Sequence, residues 1–237
     1  MPLTTVLFDL DGTLLPMDLD EFLKQYFLAA AKKLVPFGYD PEEFISALWK
    51  GSYAMVKNDG SCTNEEAFWT VLNQIYGKER AKRSEEILED FYRYDFDKLS
   101  AYCGYDAEAA KTVGYIKEKG CRVALATNPL FPHMATESRI CWAGLSPSDF
   151  ELYTTFENSR YTKPSKGYYL EVMEKLGVCS DECLMVGNDT SDDLAANEVG
   201  IDVFILTDGL INKKNVDLSA IPHGSFSDLR NYINKKL

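Results

Sequence analysis

A short apolar run that ends abruptly in two carboxylates is the feature that most constrains the fold. Residues 5–8, Thr-Val-Leu-Phe, are followed by Asp9, Leu10, Asp11 and Gly12. Four consecutive apolar or β-branched residues predict a central parallel strand that is buried on both faces. Because Gly12 adopts dihedral angles that other residues avoid, the chain can leave the strand in a tight turn. The two carboxylates are therefore expected at the C-terminal edge of a sheet, where open α/β folds bind ligands.

Two acids one residue apart repel each other unless a positive charge joins them, and a hard divalent cation such as Mg²⁺ does so with oxygen ligands. A calcium loop would need more oxygen ligands at alternating positions, whereas Thr13, Leu14 and Leu15 follow directly. The pattern therefore favours Mg²⁺ over Ca²⁺. A solvated turn is the alternative interpretation, since Asp and Gly are common turn formers.

Hydrophobic periodicity divides the chain into an α/β core and an inserted segment of helices. After Leu15 the spacing of apolar residues is helical, and it predicts several helices in succession. From about residue 106, short apolar strands alternate with helices, which predicts a parallel sheet covered on both faces. The predicted strands after the first are 122–126, 152–156, 183–186 and 203–206; the predicted inserted helices after the first are 41–50, 64–76 and 84–96.

We therefore predict an α/β protein with a Rossmann-like, doubly wound parallel sheet. The core comprises residues 1–15 and 101–237, and residues 16–100 form an all-helical domain, which we call the helical insertion. The chain of 237 residues is 46% apolar, which suits one full-sized core with a smaller appendage.

Charge and cysteine usage limit the partners. The formal charge of −12 opposes general binding to nucleic acid or to an anionic membrane. No apolar run approaches the ~18 residues of a membrane span. The start lacks a basic and apolar leader, and the six cysteines are scattered without the spacing of a zinc site, so we expect a cytoplasmic protein with reduced thiols. We expect a monomer or a weak homodimer with a small-molecule substrate.

Further polar residues follow the predicted strands or precede a helix, and such ends meet at one edge of a parallel sheet. They are Thr127, Asn128, Lys163, Asp189 and Asp193. With the first acid pair they supply what phosphoryl transfer requires: a carboxylate that can attack phosphorus, a second carboxylate to exchange protons, and donors that offset charge. Taken singly, each has an ordinary alternative as a strand-end hydroxyl, a surface lysine or a helix cap.

These residues occur in an order that resembles the haloacid dehalogenase superfamily of phosphohydrolases. Residues 6–14, VLFDLDGTL, resemble the first motif of that family very specifically. Residues 123–128 are similar to the second motif, and Lys163-Pro164 is similar to the third. The helical insertion is similar to the family's cap, which is inserted after the first motif.

The resemblance implies a role for each matching residue. Asp9 would be the nucleophile and a metal ligand, and Asp11 the general acid and base that also offers its backbone carbonyl to the metal. Thr127 and the Asn128 amide would bind the phosphate. Lys163 would steady the charged nucleophile and the phosphoryl group.

The fourth motif departs from the commonest pattern of the family. Asn188 stands directly after Gly187, where an acid is usual, while Asp189 and Asp193 keep a D-x-x-x-D spacing. We assign Asp189 to the metal, and we place Asn188 and Asp193 next to the metal ligands, with Asp193 near Lys163. Either Asn188 or Asp192 could instead fill the position of the usual acid.

The resemblance predicts a Mg²⁺-dependent phosphatase that hydrolyses a small phosphorylated metabolite through an aspartyl-phosphate intermediate. A sugar phosphate, a nucleotide or a phosphoglycolate-like compound would suit it. A phosphomutase on the same core, or a phosphate-binding regulatory protein without turnover, are the alternatives. Dehalogenation is disfavoured because Asp11 supplies acid–base chemistry that displacement at a carbon–halogen bond does not need.

Overall fold

A parallel β-sheet with the strand order β2-β1-β3-β4-β5 forms the centre of the core. The structure, a computed structural model, describes residues 2–237, so residue 1 of the predicted core segment lies outside it. The strands are β1 (Thr5–Phe8), β2 (Arg122–Leu125), β3 (Cys183–Gly187), β4 (Asp202–Leu206) and β5 (His223–Gly224). The helices are α1 (Leu19–Leu34), α2 (Pro41–Val56), α3 (Asn64–Tyr76), α4 (Lys78–Tyr94), α5 (Ala107–Glu118), α6 (His133–Trp142), α7 (Lys166–Leu176) and α8 (Phe226–Lys236). The predicted fold class is confirmed.

Strand β1 lies between β2 and β3, and all four of its residues are buried. Val6 and Phe8 pack into one hydrophobic cluster with residues of α5, α6 and α8. Leu7 points to the opposite face and packs with Tyr168 and Tyr169 of α7. This alternation is the period-two pattern of a strand, and it places helices on both faces of the sheet. The C-terminal ends of β1, β2 and β3 therefore meet at one edge.

Helices α1 to α4 form the helical insertion, and their starts follow ordinary capping chemistry. Asp18 accepts a hydrogen bond from the Glu21 amide at the start of α1, and Thr63 and Glu66 form a capping box at α3. The two connections to the core run side by side, since Met17 pairs with Cys103 and the Gly104 amide donates to Pro16 O at 2.6 Å. Within residues 2–237, no helix has the length and apolar character needed to cross a membrane.

The aromatic core of the helical insertion continues into the α/β core. Its hydrophobic cluster includes Phe131, Ala135 and Phe156, which lie in the core after β2. The ring centroid of Phe131 lies 5.1 Å from that of Tyr26 and 6.3 Å from that of Phe22, both on α1. The two parts therefore share apolar packing, and the predicted domain limits at residues 15 and 100 stay a prediction.

Some local predictions were wrong. The strand predicted at 152–156 forms only an isolated bridge between Leu125 and Tyr153, because Asn158 bonds to the Tyr153 carbonyl and the Thr155 amide and turns the chain away. Helix α4 begins directly after Gly77, earlier than predicted. The fifth strand was not predicted, since two residues carry no periodic signal.

Candidate active site

Asp9 follows β1 directly and is held in place by the neighbouring strand. Its amide donates to the Val186 carbonyl on β3 at 2.9 Å, which continues the sheet pairing by one residue. Gly12 then turns the chain with a φ of +84°, and a Cβ at this position would lie 2.4 Å from the Asn188 Nδ2 atom. Both the dihedral and the close approach require glycine there. The turn therefore presents the Asp9 carboxylate at the sheet edge, beside the end of β3.

Lys163 joins two buried carboxylates. Its Nζ donates to Asp9 Oδ1 at 2.8 Å and to Asp193 Oδ1 at 2.7 Å, and all three side chains are almost fully enclosed. Burial opposes the charge of Lys163, but Asp193 and Asp9 outweigh it and hold its pKa well above the usual range. A Cβ on Gly187 would lie 2.0 Å from Asp193 Oδ2, so this approach also requires glycine.

Burial raises the pKa of the Asp9 carboxyl above its usual value. The charge of Lys163 opposes this shift, while the charges of Asp193 and Asp11 add to it. One lysine shared between two carboxylates does not neutralise both. Lys163 and the Arg139 guanidinium, which contacts Asp11, bring two positive charges to the three carboxylates of Asp9, Asp11 and Asp193, so an additional cation would lower the electrostatic cost.

Thr13 connects Asp9 to the end of β3. Its hydroxyl lies 3.0 Å from Asp9 Oδ2 and 2.9 Å from Asn188 Oδ1, and its single hydrogen can serve only one of these acceptors at a time. The Asn188 Nδ2 donates to the Gly209 carbonyl at 2.6 Å, which directs Oδ1 toward Thr13. Asn188 thus presents an oxygen to the Asp9 turn from the position where the family usually has an acid.

Thr127 and Asn128 follow β2 at the same edge. The Thr127 carbonyl accepts from the Thr154 hydroxyl at 2.6 Å and from the Tyr168 hydroxyl at 2.8 Å, so its backbone is held from outside the strand. The Asn128 Nδ2 donates to Asp192 Oδ2 at 3.3 Å, and burial raises the pKa of that Asp192 carboxyl to about 6. Within residues 2–237, the buried Asn128 Oδ1 has no hydrogen-bond partner.

Along the chain, these side chains come from the end of β1, the end of β2, the turn before α7 and the end of β3. This is the order of the four motifs. The sequence model of the haloacid dehalogenase-like hydrolases matches residues 3–200. The chain belongs to this family. It is therefore an enzyme of the phosphoric monoester hydrolase type, built on the fold described above.

Relatives of known name cover most of the chain at low identity. The pyrophosphatase PpaX of Bacillus cereus is 22% identical over 202 residues, which are 84% of this chain and 81% of that protein. The ribulose-1,5-bisphosphate 5-phosphatase of Halopiger xanaduensis is 26% identical over 212 residues, covering 85% and 84%. A haloacid dehalogenase phosphatase from Thermococcus onnurineus aligns with a TM-score of 0.57 and 20% identity over 98% of both chains, which shows the shared fold.

The donor atoms of this haloacid dehalogenase-like site suit Mg²⁺, the metal that the resemblance implies. Asp9 and Asp11 offer carboxylate oxygens, and Asn188 turns its amide oxygen Oδ1 toward the Asp9 turn, which suits a hard cation. The Asp11 Oδ1 atom is buried and has no hydrogen-bond partner in the part of the chain that the structure describes. No group of three or more His, Cys, Asp or Glu side chains within residues 2–237 is arranged to bind a metal through side chains alone. A metal here would therefore need the Asp11 carbonyl, an amide oxygen or water among its ligands.

Asp189, the predicted third metal ligand, is engaged in its own turn. Its Oδ1 accepts from the Ser191 amide at 2.6 Å and from the Asp192 amide at 3.2 Å. Its backbone amide donates to Asp193 Oδ2 at 2.9 Å, which supports the carboxylate that binds Lys163. The structure thus brings Asp9, Asp11 and Asp193 into one charged group and gives Asp189 a part in shaping the turn. Its assignment to the metal stays a prediction.

Arg139 is the residue of the site that the sequence did not reveal. This fully buried side chain of α6 donates from Nη1 to Asp11 Oδ2. Its guanidinium lies 4.2 Å from the centre of the Phe131 ring. An arginine in the middle of a helix with little amphipathic pattern looks like any solvated arginine. No sequence signal distinguished it.

Proposed function

We propose that the protein is a Mg²⁺-dependent phosphatase that hydrolyses a small phosphorylated metabolite through an aspartyl-phosphate on Asp9. The observation that carries this proposal is the buried Asp9 carboxylate at the end of β1, fixed by Lys163 on one oxygen and facing Thr13 with the other. A carboxylate held in this way is oriented for attack, and its charge is offset without being blocked by a rigid bidentate partner.

The reaction has two steps. An oxygen of Asp9 forms a bond to phosphorus while the bond from phosphorus to the leaving oxygen breaks, and Asp11 donates a proton to that oxygen. Asp11 then takes a proton from water, which attacks phosphorus, releases phosphate and restores the Asp9 carboxylate. Lys163, the Thr127 hydroxyl and the Asn128 amide offset the charge on the transferring oxygens in both steps.

Mg²⁺ would be held by the Asp9 carboxylate and the Asp11 carbonyl, and its charge would stabilise the phosphoryl oxygens. For the third protein ligand, the geometry supports Asn188, whose Oδ1 faces the Asp9 turn, over Asp189, whose Oδ1 already accepts two amides. Titration calorimetry with Mg²⁺ alone separates them. We expect Asn188→Ala to weaken binding by about tenfold or more and Asp189→Ala to weaken it less. The reverse order would restore the assignment made from the sequence.

Family membership and the names of the relatives support the substrate class. The two curated relatives described above act, by their names, on pyrophosphate and on ribulose 1,5-bisphosphate, which are both small phosphorylated compounds. A small phosphoester substrate is therefore part of the proposal. The absence of nucleic-acid and membrane partners, the cytoplasmic location and the monomer or weak homodimer stay predictions.

Phosphate release from a panel of sugar phosphates, nucleoside monophosphates, phosphoglycolate and pyrophosphate tests the proposal directly. We expect release with Mg²⁺ and none after EDTA has removed the metal. Conversion of a sugar phosphate into an isomer without free phosphate would instead identify a phosphomutase. Binding of phosphate without turnover of any compound would favour the regulatory alternative and contradict the proposal.

A further inference from the structure

One oxygen of the Asp11 carboxylate is held by a side chain that is itself immobilised. Arg139 donates from Nη1 to Asp11 Oδ2 and is completely enclosed. Its Nε donates to the Ala135 carbonyl at 3.2 Å, and its Nη2 donates to the Thr136 hydroxyl at 3.4 Å. Because three of its nitrogen atoms have partners, the guanidinium has one orientation, and Asp11 Oδ2 is fixed by it.

The other oxygen of the same carboxylate is not held by Arg139. Asp11 Oδ1 is buried and, among the described residues, accepts no hydrogen bond. A buried carboxylate oxygen without a partner is costly, so this atom calls for a catalytic role, a bound cation or an ordered water. The two oxygens of Asp11 are therefore not equivalent: Oδ2 is held by Arg139, and Oδ1 is held by no group within residues 2–237.

We propose that Arg139 is a positioning residue, which holds the Asp11 carboxylate by Oδ2 and so fixes the orientation in which that side chain acts on the leaving group and on water. This inference rests on the proposed phosphatase function and adds a residue that no motif of the sequence contains. Arg139 itself touches neither the phosphoryl group nor the nucleophile. It acts only through Asp11.

The same arginine connects the proton-exchanging group to the helical insertion. Its guanidinium stacks on Phe131 at 4.2 Å, and Phe131 packs against Tyr26 of α1 at 5.1 Å between ring centroids. An arginine buried against an aromatic face gains a cation–π interaction, which fixes its plane. The packing of the insertion on the core therefore contributes to where the Asp11 carboxylate lies.

The proposal predicts a selective defect rather than a general one. Phenolate is a more basic leaving group than p-nitrophenolate, so hydrolysis of phenyl phosphate depends more on proton donation by Asp11. The two esters are nearly equal in size, and binding effects largely cancel in the ratio of their kcat/KM values. Loss of the Arg139 contact should lower the kcat/KM for phenyl phosphate relative to that for p-nitrophenyl phosphate. A loss of folded enzyme would instead lower both values by the same factor.

The experiment measures kcat/KM for phenyl phosphate and p-nitrophenyl phosphate in wild type, Arg139→Met and Arg139→Lys. We expect Arg139→Met to lower the ratio of the two values by about tenfold or more, mainly through kcat. Arg139→Lys should restore part of the ratio, because an ammonium keeps the charge but not the planar arrangement of donors. Arg230→Met is the matched control, since Arg230 binds Thr112 on the far helices α5 and α8 and should leave the ratio unchanged.

A double variant shows whether Arg139 acts through Asp11. Asp11→Asn alone should lower the ratio, and Arg139→Met in the Asp11→Asn background should lower it no further. The double variant also carries no unpaired buried carboxylate, so it keeps the test decisive if Arg139→Met folds poorly. Equal losses on both esters, or additive losses in the double variant, would overturn this inference and leave the phosphatase proposal intact. A wild-type protein that hydrolyses neither ester nor any compound of the panel would overturn both.

Discussion

The C-terminal edge of the sheet and the helical insertion are held together by different interactions. At the sheet edge, Lys163 bonds to two buried carboxylates, and two glycines make room where a Cβ would collide. In the insertion, Tyr26, Phe91 and Phe96 pack ring against ring within one apolar cluster. Directional hydrogen bonds between charged groups fix the side chains at the sheet edge, whereas non-directional apolar packing fixes the rings of the insertion. The edge should therefore tolerate few substitutions, and the insertion many of similar volume.

The boundary between the two regions is neither purely polar nor purely apolar. Asn64 at the start of α3 donates to the Pro129 and Tyr161 carbonyls at 3.3 and 3.2 Å. An apolar cavity of about 80 Å³ also lies at this boundary, and its lining includes Trp49 and Phe68 of the insertion and Phe131 of the core. Substitutions that alter one region and leave the other intact therefore show how activity and stability depend on each region.

Asp9→Asn should have the largest effect on activity. An amide keeps the size of the side chain but is a far poorer nucleophile, so phosphate release should fall by about 10⁴-fold or more. Asp202→Asn is the matched control, since Asp202 forms an exposed ion pair with Lys236 at the start of β4. Activity is measured as phosphate release, and folding as the thermal midpoint. Near-parental turnover by Asp9→Asn would contradict its assignment as the nucleophile.

Lys163→Met should have the largest effect on stability. It leaves Asp9 and Asp193 buried side by side without their shared cation, which should cost about 3–5 kcal/mol in the free energy of unfolding. Lys236→Met removes an exposed partner of Asp202, and such pairs contribute about 0–1 kcal/mol. Urea denaturation of the metal-free proteins compares the two variants. Equal losses of stability would mean that the sheet edge is no more sensitive than the surface.

Phe131→Leu should have a smaller effect and should distinguish the boundary from the interior of the insertion. Both Phe131→Leu and Phe44→Leu should lower the free energy of unfolding by about 1–2 kcal/mol, as core substitutions do. Phe44 packs against Tyr39 and Tyr76 within the insertion, whereas the ring that stacks on Arg139 is that of Phe131. Only Phe131→Leu should also lower kcat, by up to about tenfold, because Arg139 loses its stacking partner. A parental kcat in Phe131→Leu would mean that the packing between the insertion and Arg139 does not affect catalysis.

The sequence alone determined the α/β class. It also predicted the helical insertion and a group of site residues that includes five at the sheet edge, Asp9, Asp11, Thr127, Lys163 and Asp193, whose roles stay predictions. All five belong to short segments next to strand ends or to a helix start, where local pattern indicates position. Strand ends in one parallel sheet must converge, so the pattern along the chain also predicted proximity in space. The structure places Lys163 between Asp9 and Asp193, an arrangement consistent with the roles assigned to them.

Only the tertiary structure decided which oxygen atoms face one another. Whether Asn188 or Asp189 turns toward Asp9 depends on hydrogen bonds to Gly209 and to the amides of the turn, which no spacing encodes. Arg139 lies 128 residues from Asp11 along the chain, and nothing in its helix marks it as buried. The continuity of the insertion's aromatic cluster with Phe131 depends likewise on packing between distant segments. Local periodicity determines which elements form, but burial and pairing over long separations arise only when those elements pack.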